Sequence, residues 1–368
     1  MSRYRGSDES THRQVPRTAV LVVNLGTPER PDTPSVRRYL AEFLSDPRVI
    51  ELPRWLWKTI LHGVILRVRP RRSAHAYQQI WREAGSPLLL ETAALTEALA
   101  QRYPADAEAP LFRLAMRYGQ PSIPTLMREL AALGMRRLLV LPLYPQYSAT
   151  TTASVFDAVV DELKTWRWWP ELRLIGDYLH EPGYVQALAN SVREHWQHHG
   201  RGEKLLLSFH GIPRRYFLQG DPYYCQCQVT GRQLAAALEL KEDEWALCFQ
   251  SRVGAEPWLQ PYTDRQLIAW AEQGLKRVDV LCPGFAVDCL ETLEEIAQQN
   301  AEAFRVAGGE ALRYIPALNH RADHVDMLAA LVDRHLQDWA LPVADVAARE
   351  TRVAALKISQ QAWLERRR

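Results

Sequence analysis

Two ionisable side chains stand where a parallel-sheet protein keeps its chemistry. His210 ends the run KLLLSFH (204–210), and Gly211 and Pro213 stop that run directly after it. Glu291 lies in CPGFAVDCLETLEEI (282–296), where Pro283 and Gly284 end another apolar run and a helix begins near Cys289. An imidazole that is neutral near pH 7 can serve as a base or as a ligand for a divalent ion, or can simply bond backbone in a turn. Glu291 can do the same work from across a gap, or it can cap its own helix. Asp288 as N-cap with Glu291 three residues on reads as a capping box. One His and one Glu are too few for a permanent cage, since structural sites take four protein ligands. They suit an ion that is held loosely and passed on.

Other unusual residues fall at comparable places. Asn24-Leu25-Gly26-Thr27-Pro28 follows the first apolar run, Arg117-Tyr118 closes the second, and Tyr144-Pro145-Gln146-Tyr147-Ser148 closes the third. Gln250-Ser251-Arg252 and Pro283-Gly284-Phe285 close two later ones. Tyr144, Tyr147, Trp258 and Phe285 would offer flat walls to a flat apolar ligand. The five cysteines are odd in number and scattered, which fits a reducing cytoplasm. An iron–sulfur cluster needs four thiolates, and only Cys225 and Cys227 are neighbours, so ordinary thiols are expected.

The elements that must position these residues are short β-rich runs alternating with helix-period segments. Expected strands are 18–24, 111–118, 137–144, 172–176, 204–210, 245–250, 277–283 and 311–316. Expected helices are 87–103, 121–134, 151–167, 182–199, 264–275, 290–306 and 321–339. Such alternation specifies an α/β fold with parallel sheets covered by helices. Eight strands splitting four and four predict two doubly wound, Rossmann-like domains with a cleft between them. With 368 residues the chain is too long for one ordinary core. The expected layout is a disordered tail at 1–17, a first domain at 18–180 and a second at 181–320. A helix at about 321–340 returns to the first domain, and an extension follows at 341–368 with a frayed basic end. Ligands of open parallel sheets bind outside the carboxyl ends of the strands, so the segments named above line one cleft.

Several classes are unsupported. The chain has no GxGxxG after its first strand, no GxxxxGK[ST] and no GxSxG, so neither nucleotide chemistry nor a serine hydrolase is indicated. Net charge is +2, so no nucleic-acid partner follows. No apolar run reaches the roughly 18 residues that span a bilayer. The segment 54–72 places Trp57, Ile60, Leu61, Val64, Ile65 and Val68 at helical spacing, ringed by Arg54, Lys58, Arg67, Arg69, Arg71 and Arg72. That is either a core-facing surface helix or an apolar lip resting on a membrane.

The series VNLGTPE, GSPLLLET, MRYGQPSI, YPQYSATTTAS, SFHGIPRRYFLQGDPYY, FQSRVGAEPWLQPYTD and PGFAVDCLETLEEI, in that order over about 19–320, resembles the ferrochelatases. The resemblance implies two doubly wound domains with the site between them. It implies insertion of ferrous iron into protoporphyrin IX to give protohaem, the terminal step of haem biosynthesis, with Fe2+ as substrate. His210 and Glu291 match the family's active-site histidine and glutamate, as catalytic residues and metal ligands. Leu25 matches a residue facing the macrocycle, and leucine there favours protoporphyrin over coproporphyrin. Arg82 and Arg117 match positions that hold propionates or shape the pocket, and Tyr144 and Trp258 match pocket walls. Segment 54–72 matches the family's apolar lip, which implies a cytoplasmic protein touching the inner membrane peripherally; a monomer is expected. Cys289 stands where many relatives have histidine. Ala149 and the lack of any cysteine after Cys289 imply no [2Fe–2S] cluster. The rival readings are a non-catalytic porphyrin or haem carrier, a cobalt chelatase of related tetrapyrroles, and a two-domain glycosyltransferase, which fits the architecture alone.

Overall fold

The computed structural model describes Tyr4 and residues 16–104, 109–254, 256–339 and 344–366. Eight strands form two sheets. The first contains β1 Arg17–Gly26, β2 Leu111–Tyr118, β3 Met135–Pro142 and β4 Glu171–Leu174, in the order β2-β1-β3-β4. The second contains β5 Lys204–His210, β6 Trp245–Gln250, β7 Arg277–Leu281 and β8 Ala311–Ile315, in the order β6-β5-β7-β8. All pairings are parallel, so the two halves share one topology. Central β1 is buried without break from Ala19 to Val23, as a strand covered on both faces must be. Edge strand β4 is four residues long and half-exposed, which blunts it as a template for further pairing.

Each sheet reverses its strand order between its first and third strands, at β1/β3 and at β5/β7. These are the switch points at which ligands enter open parallel sheets. Gly26 closes β1 at φ +114°, and a Cβ there would lie 1.8 Å from the Tyr118 carbonyl oxygen. Only glycine lets the carboxyl ends of β1 and β2 lie this close. One apolar cluster runs from Val20, Val22 and Leu141 of the first sheet to Leu207, Phe249 and Leu281 of the second. The helix Ala322–Leu336 packs on Pro87–Ala100 of the first half and Pro182–His199 of the second, bridging them.

All eight expected strands are present, with ends shifted by at most two residues. The helices differ more. Among the described residues three stretches are wound as π-helix, with i→i+5 bonding: Leu61–Ile65, Ala149–Ala153 and Glu291–Asn300. The expected helix at 290–306 is thus wide for ten residues and becomes α only at Ala301–Val306. Apolar periodicity reports the buried face of a helix and is too coarse to report its turn width. The helices Thr33–Phe43 and Tyr223–Ala237 were not expected. The first is announced by Asp32, whose side chain accepts from Ser35 N at 2.7 Å; the second begins in the polar, cysteine-bearing stretch after Pro222.

Segment 54–72 is helical but runs on to Ile80, as Arg54–Ile60, the wide turn and Leu66–Ile80. Pro70 lies inside the last piece, soon after the wide turn that loosens the i→i−4 ladder. Ala344–Glu365 of the expected extension form a helix, which takes in 360–365 of the stretch expected to fray. Most of the expected tail, residues 1–3 and 5–15, lies outside the described residues.

Candidate active site

His210 is the last residue of β5 and is half-buried. Its Nδ1 lies 2.6 Å from the Gly211 carbonyl oxygen, so Nδ1 carries the hydrogen and Nε2 is left as the acceptor. Gly211 is required beside it: a Cβ would come within 2.9 Å of the Gln250 carbonyl oxygen and 3.1 Å of the Trp258 ring. The rings of Trp258 and Phe285 stand 6.4 and 6.5 Å from the imidazole, centroid to centroid. The two aromatic rings therefore lie near the histidine ring.

Glu291 opens the wide helix after β7. The expected capping box is absent. The Asp288 N–H donates to Asn319 Oδ1, and the Cys289 N–H donates to Thr292 Oγ1. Glu291 makes neither bond of that box, and its carboxylate lies beside the Cys289 thiol. Its carboxylate acts on a layer of groups from the N-terminal half: Tyr39, Tyr77 and Arg69. Burial is the main cause holding both tyrosine hydroxyls protonated, and the Glu291 charge reinforces it. Burial also lowers the Arg69 pKa, with Glu291 opposing it. Among the described residues no hydrogen bond or ion pair holds the Arg69 guanidinium. Cys289 is buried against Glu291, and burial first and that carboxylate second push its thiol up.

The sequence reading missed Glu295. On the wide helix it falls on the same face as Glu291, and both are half-buried. Burial raises its pKa; the positive side of His210 opposes the rise and the charge of Glu291 adds to it. Glu295 thus feels both expected site residues, which arrive from the ends of different strands. Ser251 holds it through the backbone N–H, 2.8 Å from Oε1, and through its hydroxyl. Gln250 donates to the Glu291 carbonyl at 2.8 Å. The signal was present in ETLEEI, an acid four residues after Glu291 and so one turn along.

The remaining expected residues divide. Leu25 is half-buried and packs with Trp81, Tyr118 and Leu290 beside Glu291. Tyr144 packs on the first half's outer core, and its Oη is buried without a partner. Trp258 Nε1 is likewise buried and unpartnered. Buried donors without a partner are rare in protein interiors. The Tyr147 backbone N–H donates to Gln226 Oε1 at 2.5 Å, which ties this edge to the second half. Arg117 is fully engaged: Nη2 lies 2.5 Å from Asp46 Oδ2, and Nε donates to Ser154. Arg82 is bound to Glu91 at 2.6 Å, and Glu91 also meets His320 at 3.1 Å. None of the five cysteines is in a disulfide.

The family model "Ferrochelatase" matches residues 17–336. The chain belongs to the ferrochelatase family. The ferrochelatase of Nitrosococcus oceani is 57% identical over 337 residues, covering 92% of each chain. That of Thioalkalivibrio sulfidiphilus is 54% identical, covering 96% of each. Among solved structures, the sirohydrochlorin chelatase SirB of Bacillus subtilis subspecies spizizenii in complex with cobalt aligns with TM-score 0.50 at 11% identity. It covers 86% of this chain and 94% of that one, and it supports the chelatase-like fold alone. A ferrochelatase is a lyase that inserts iron into a porphyrin. His210 and Glu291 fall inside the matched span, as do Leu25, Arg82, Arg117, Tyr144, Tyr147, Trp258 and Phe285.

Proposed function

We propose that this chain inserts ferrous iron into protoporphyrin IX, releasing two protons and protohaem, and that His210 and the Glu291–Glu295 pair take those protons. Membership of the ferrochelatase family carries the reaction. The observation that carries the division of labour is the buried Glu295 carboxyl, on which both His210 and Glu291 act.

A free-base porphyrin is flat, and its two inner N–H groups block the metal. The ring must buckle so that the nitrogen lone pairs leave the plane. Leu25, Tyr144, Trp258 and Phe285 supply the surfaces against which it is bent, with strain of roughly 1–5 kcal/mol drawn from remote contacts. Unpaired Arg69 is the guanidinium we assign to a substrate carboxylate. The other two candidates, Arg82 and Arg117, already hold Glu91 and Asp46. His210 Nε2 accepts one pyrrole proton. Glu291, beside the entering ion, neutralises its charge. Glu295 behind it receives the second proton, since burial already favours its protonated form. An anaerobic assay with Fe2+, following absorbance with protoporphyrin and then with coproporphyrin, tests the reading. Turnover of protoporphyrin is expected, and tight porphyrin binding without turnover would make this chain a carrier.

We further propose that the two sheets with their covering helices are domains at 18–180 and 181–320, and that the protein works as a cytoplasmic monomer without an iron–sulfur cluster. The segment 54–80 serves as a lip. Its apolar residues face two ways. Trp57 and Leu61 are buried, and Trp57 Nε1 donates to the Leu44 carbonyl at 2.6 Å. Trp55 and Val68 are 75% and 71% exposed, with Val64 and Leu56 beside them. No helix among the described residues is long and apolar enough to cross a membrane. An exposed apolar edge flanked by Arg54, Lys58, Arg67 and Arg71 suits an anionic membrane surface through which a greasy substrate passes. Co-sedimentation with anionic vesicles, lost in a Trp55→Ser/Val68→Ser variant, is the expected result.

A further inference from the structure

The lip is rooted in the loop between the helices Thr33–Phe43 and Arg54–Ile60, and that loop is held from both halves. From its own half, Asp46 is bound by Arg117, by Tyr118 Oη at 2.8 Å and by Ser154 Oγ at 2.6 Å, and Arg48 Nε donates to Asp157 Oδ2 at 2.7 Å. From the second half come two bonds made by neighbours in sequence. Arg215 Nη1 donates to Glu51 Oε2 at 3.0 Å, and Tyr216 Oη donates to the Val49 carbonyl at 3.0 Å.

Both donors sit on the short helix Arg214–Leu218, which follows closely on His210. The same stretch is stitched to the loop carrying Trp258. The Arg214 N–H donates to the Pro257 carbonyl at 2.9 Å, and the Leu259 N–H donates to the Ile212 carbonyl at 3.0 Å. Arg215 adds a side-chain bond to that loop, from Nε to Glu256 Oε2 at 3.0 Å. Its Nη2 donates to Tyr216 Oη at 3.0 Å, and its guanidinium carbon stands 4.4 Å from the centre of the Tyr216 ring. Tyr216 is buried, so this stack rests on a fixed base. A guanidinium is planar and carries five donors, so one side chain can serve two carboxylates at once. Arg215 therefore joins three parts distant in sequence: the strand end bearing His210, the loop bearing Trp258 and the root of the lip.

We propose that Arg215 is a positioning residue for the reaction: by bridging Glu256 to Glu51 it sets the spacing between the lip and the Trp258 loop, and with it the width of the cleft that grips the porphyrin. The proposal rests on the reading of that cleft as the porphyrin site. All three bridging side chains are partly exposed, so the bridge is of modest strength and its effect is graded. A loosened cleft gives up contact with the ring while His210 and Glu291 keep their own supports, so porphyrin affinity is the quantity that moves. Arg215→Ala is expected to raise KM for porphyrin about threefold, with KM for Fe2+ unchanged and kcat within about twofold of wild type. Glu51→Ala, in an exposed loop, is expected to raise KM for porphyrin by a similar factor. In the double variant KM is expected to rise no further than in Arg215→Ala, because the two changes break one bridge. Glu51→Ala carries the test by itself where Arg215→Ala does not fold.

KM for porphyrin near wild type in the folded variants, beside a Trp258→Ala enzyme whose KM is raised, overturns the proposal alone. So does a fall in kcat at constant KM, which is what loss of folded protein without a change of spacing would give. A rise in the double variant equal to the product of the two single rises also overturns it. A Trp258→Ala enzyme with KM for porphyrin unchanged instead overturns the reading of the cleft beneath it.

Discussion

The two halves repeat one topology and present opposite chemistry at the same strand ends. In the N-terminal half the carboxyl ends of β1, β2 and β3 carry Leu25, the Arg117 pair with Asp46, and Tyr144, so they are apolar or already paired. In the C-terminal half the equivalent ends of β5, β6 and β7 lead into His210, Ser251 with Glu295, and Glu291. The connections differ as well. Between β1 and β2 the chain builds the lip and contributes Tyr39, Arg69 and Tyr77 to the face above Glu291. Between β5 and β6 it makes only the helices Arg214–Leu218 and Tyr223–Ala237 and one tight turn. A parallel sheet fixes where residues appear and leaves open what they are. One scaffold can therefore serve as a holding surface on one side and a reacting surface on the other.

The strongest test of that contrast is His210→Ala. Insertion is expected to fall by roughly 10³-fold, while porphyrin binding, read by fluorescence quenching, stays within about threefold of wild type. Haem formation near the wild-type rate, or loss of porphyrin binding, would move the histidine to the holding side. Glu291→Gln comes next, with a loss of roughly 10²-fold. Glu295→Gln is expected to cost roughly tenfold and to remove an inflection on the acid side of the pH–rate profile. The sign follows from its raised pKa: Glu295 can accept a proton only once pH exceeds that value, so activity rises with pH through it. A profile identical to wild type would take Glu295 out of proton handling.

The holding side should respond differently. Tyr144→Phe deletes a buried hydroxyl that has no partner in the free protein. KM for porphyrin is expected to rise about threefold with kcat nearly unchanged, while the free protein unfolds at the same or a slightly higher temperature. A fall in kcat at constant KM would erase the contrast.

The smallest effect on activity belongs to the bridge between the halves. Burial pushes the His324 pKa down to about 4 from an ordinary 6.5, so the unfolded chain binds a proton that the folded one refuses. Stability is therefore complete above pH 6.5 and falls as pH drops toward 4. The loss amounts to roughly 3 kcal/mol across that interval. His324→Asn keeps a donor for the Asn319 carbonyl and is expected to flatten this part of the stability curve. Denaturant midpoints at pH 7 and pH 4.5 would show it, and an unchanged slope would assign the acid sensitivity elsewhere.

Much of this was legible before any coordinates. Strand ends were marked by glycine and proline after β-branched runs, which places His210 and the start of the Glu291 helix without tertiary knowledge. The alternation of strands and helices fixed the class of fold, because only crossover helices join parallel strands. Turn width was not legible, since π and α winding bury similar apolar stripes. Glu295 was legible in principle, since the i, i+4 spacing in ETLEEI sets it on the face of Glu291. Pairings distant in sequence were also out of reach. The pairing of Arg117 with Asp46 is one of these, since Asp46 lies in a loop following a helix that the apolar periodicity did not announce. The capping bond expected at Asp288 forms one residue later, where the Cys289 N–H donates to Thr292 Oγ1, and Asn319, brought in from beyond β8, takes the Asp288 N–H instead. The sequence by itself determined which ionisable groups are carried to the ends of which strands, because that depends on periodicity and on local stops. The tertiary structure alone decided which of them remain free to react, because a side chain is released or committed by partners that reach it only through space.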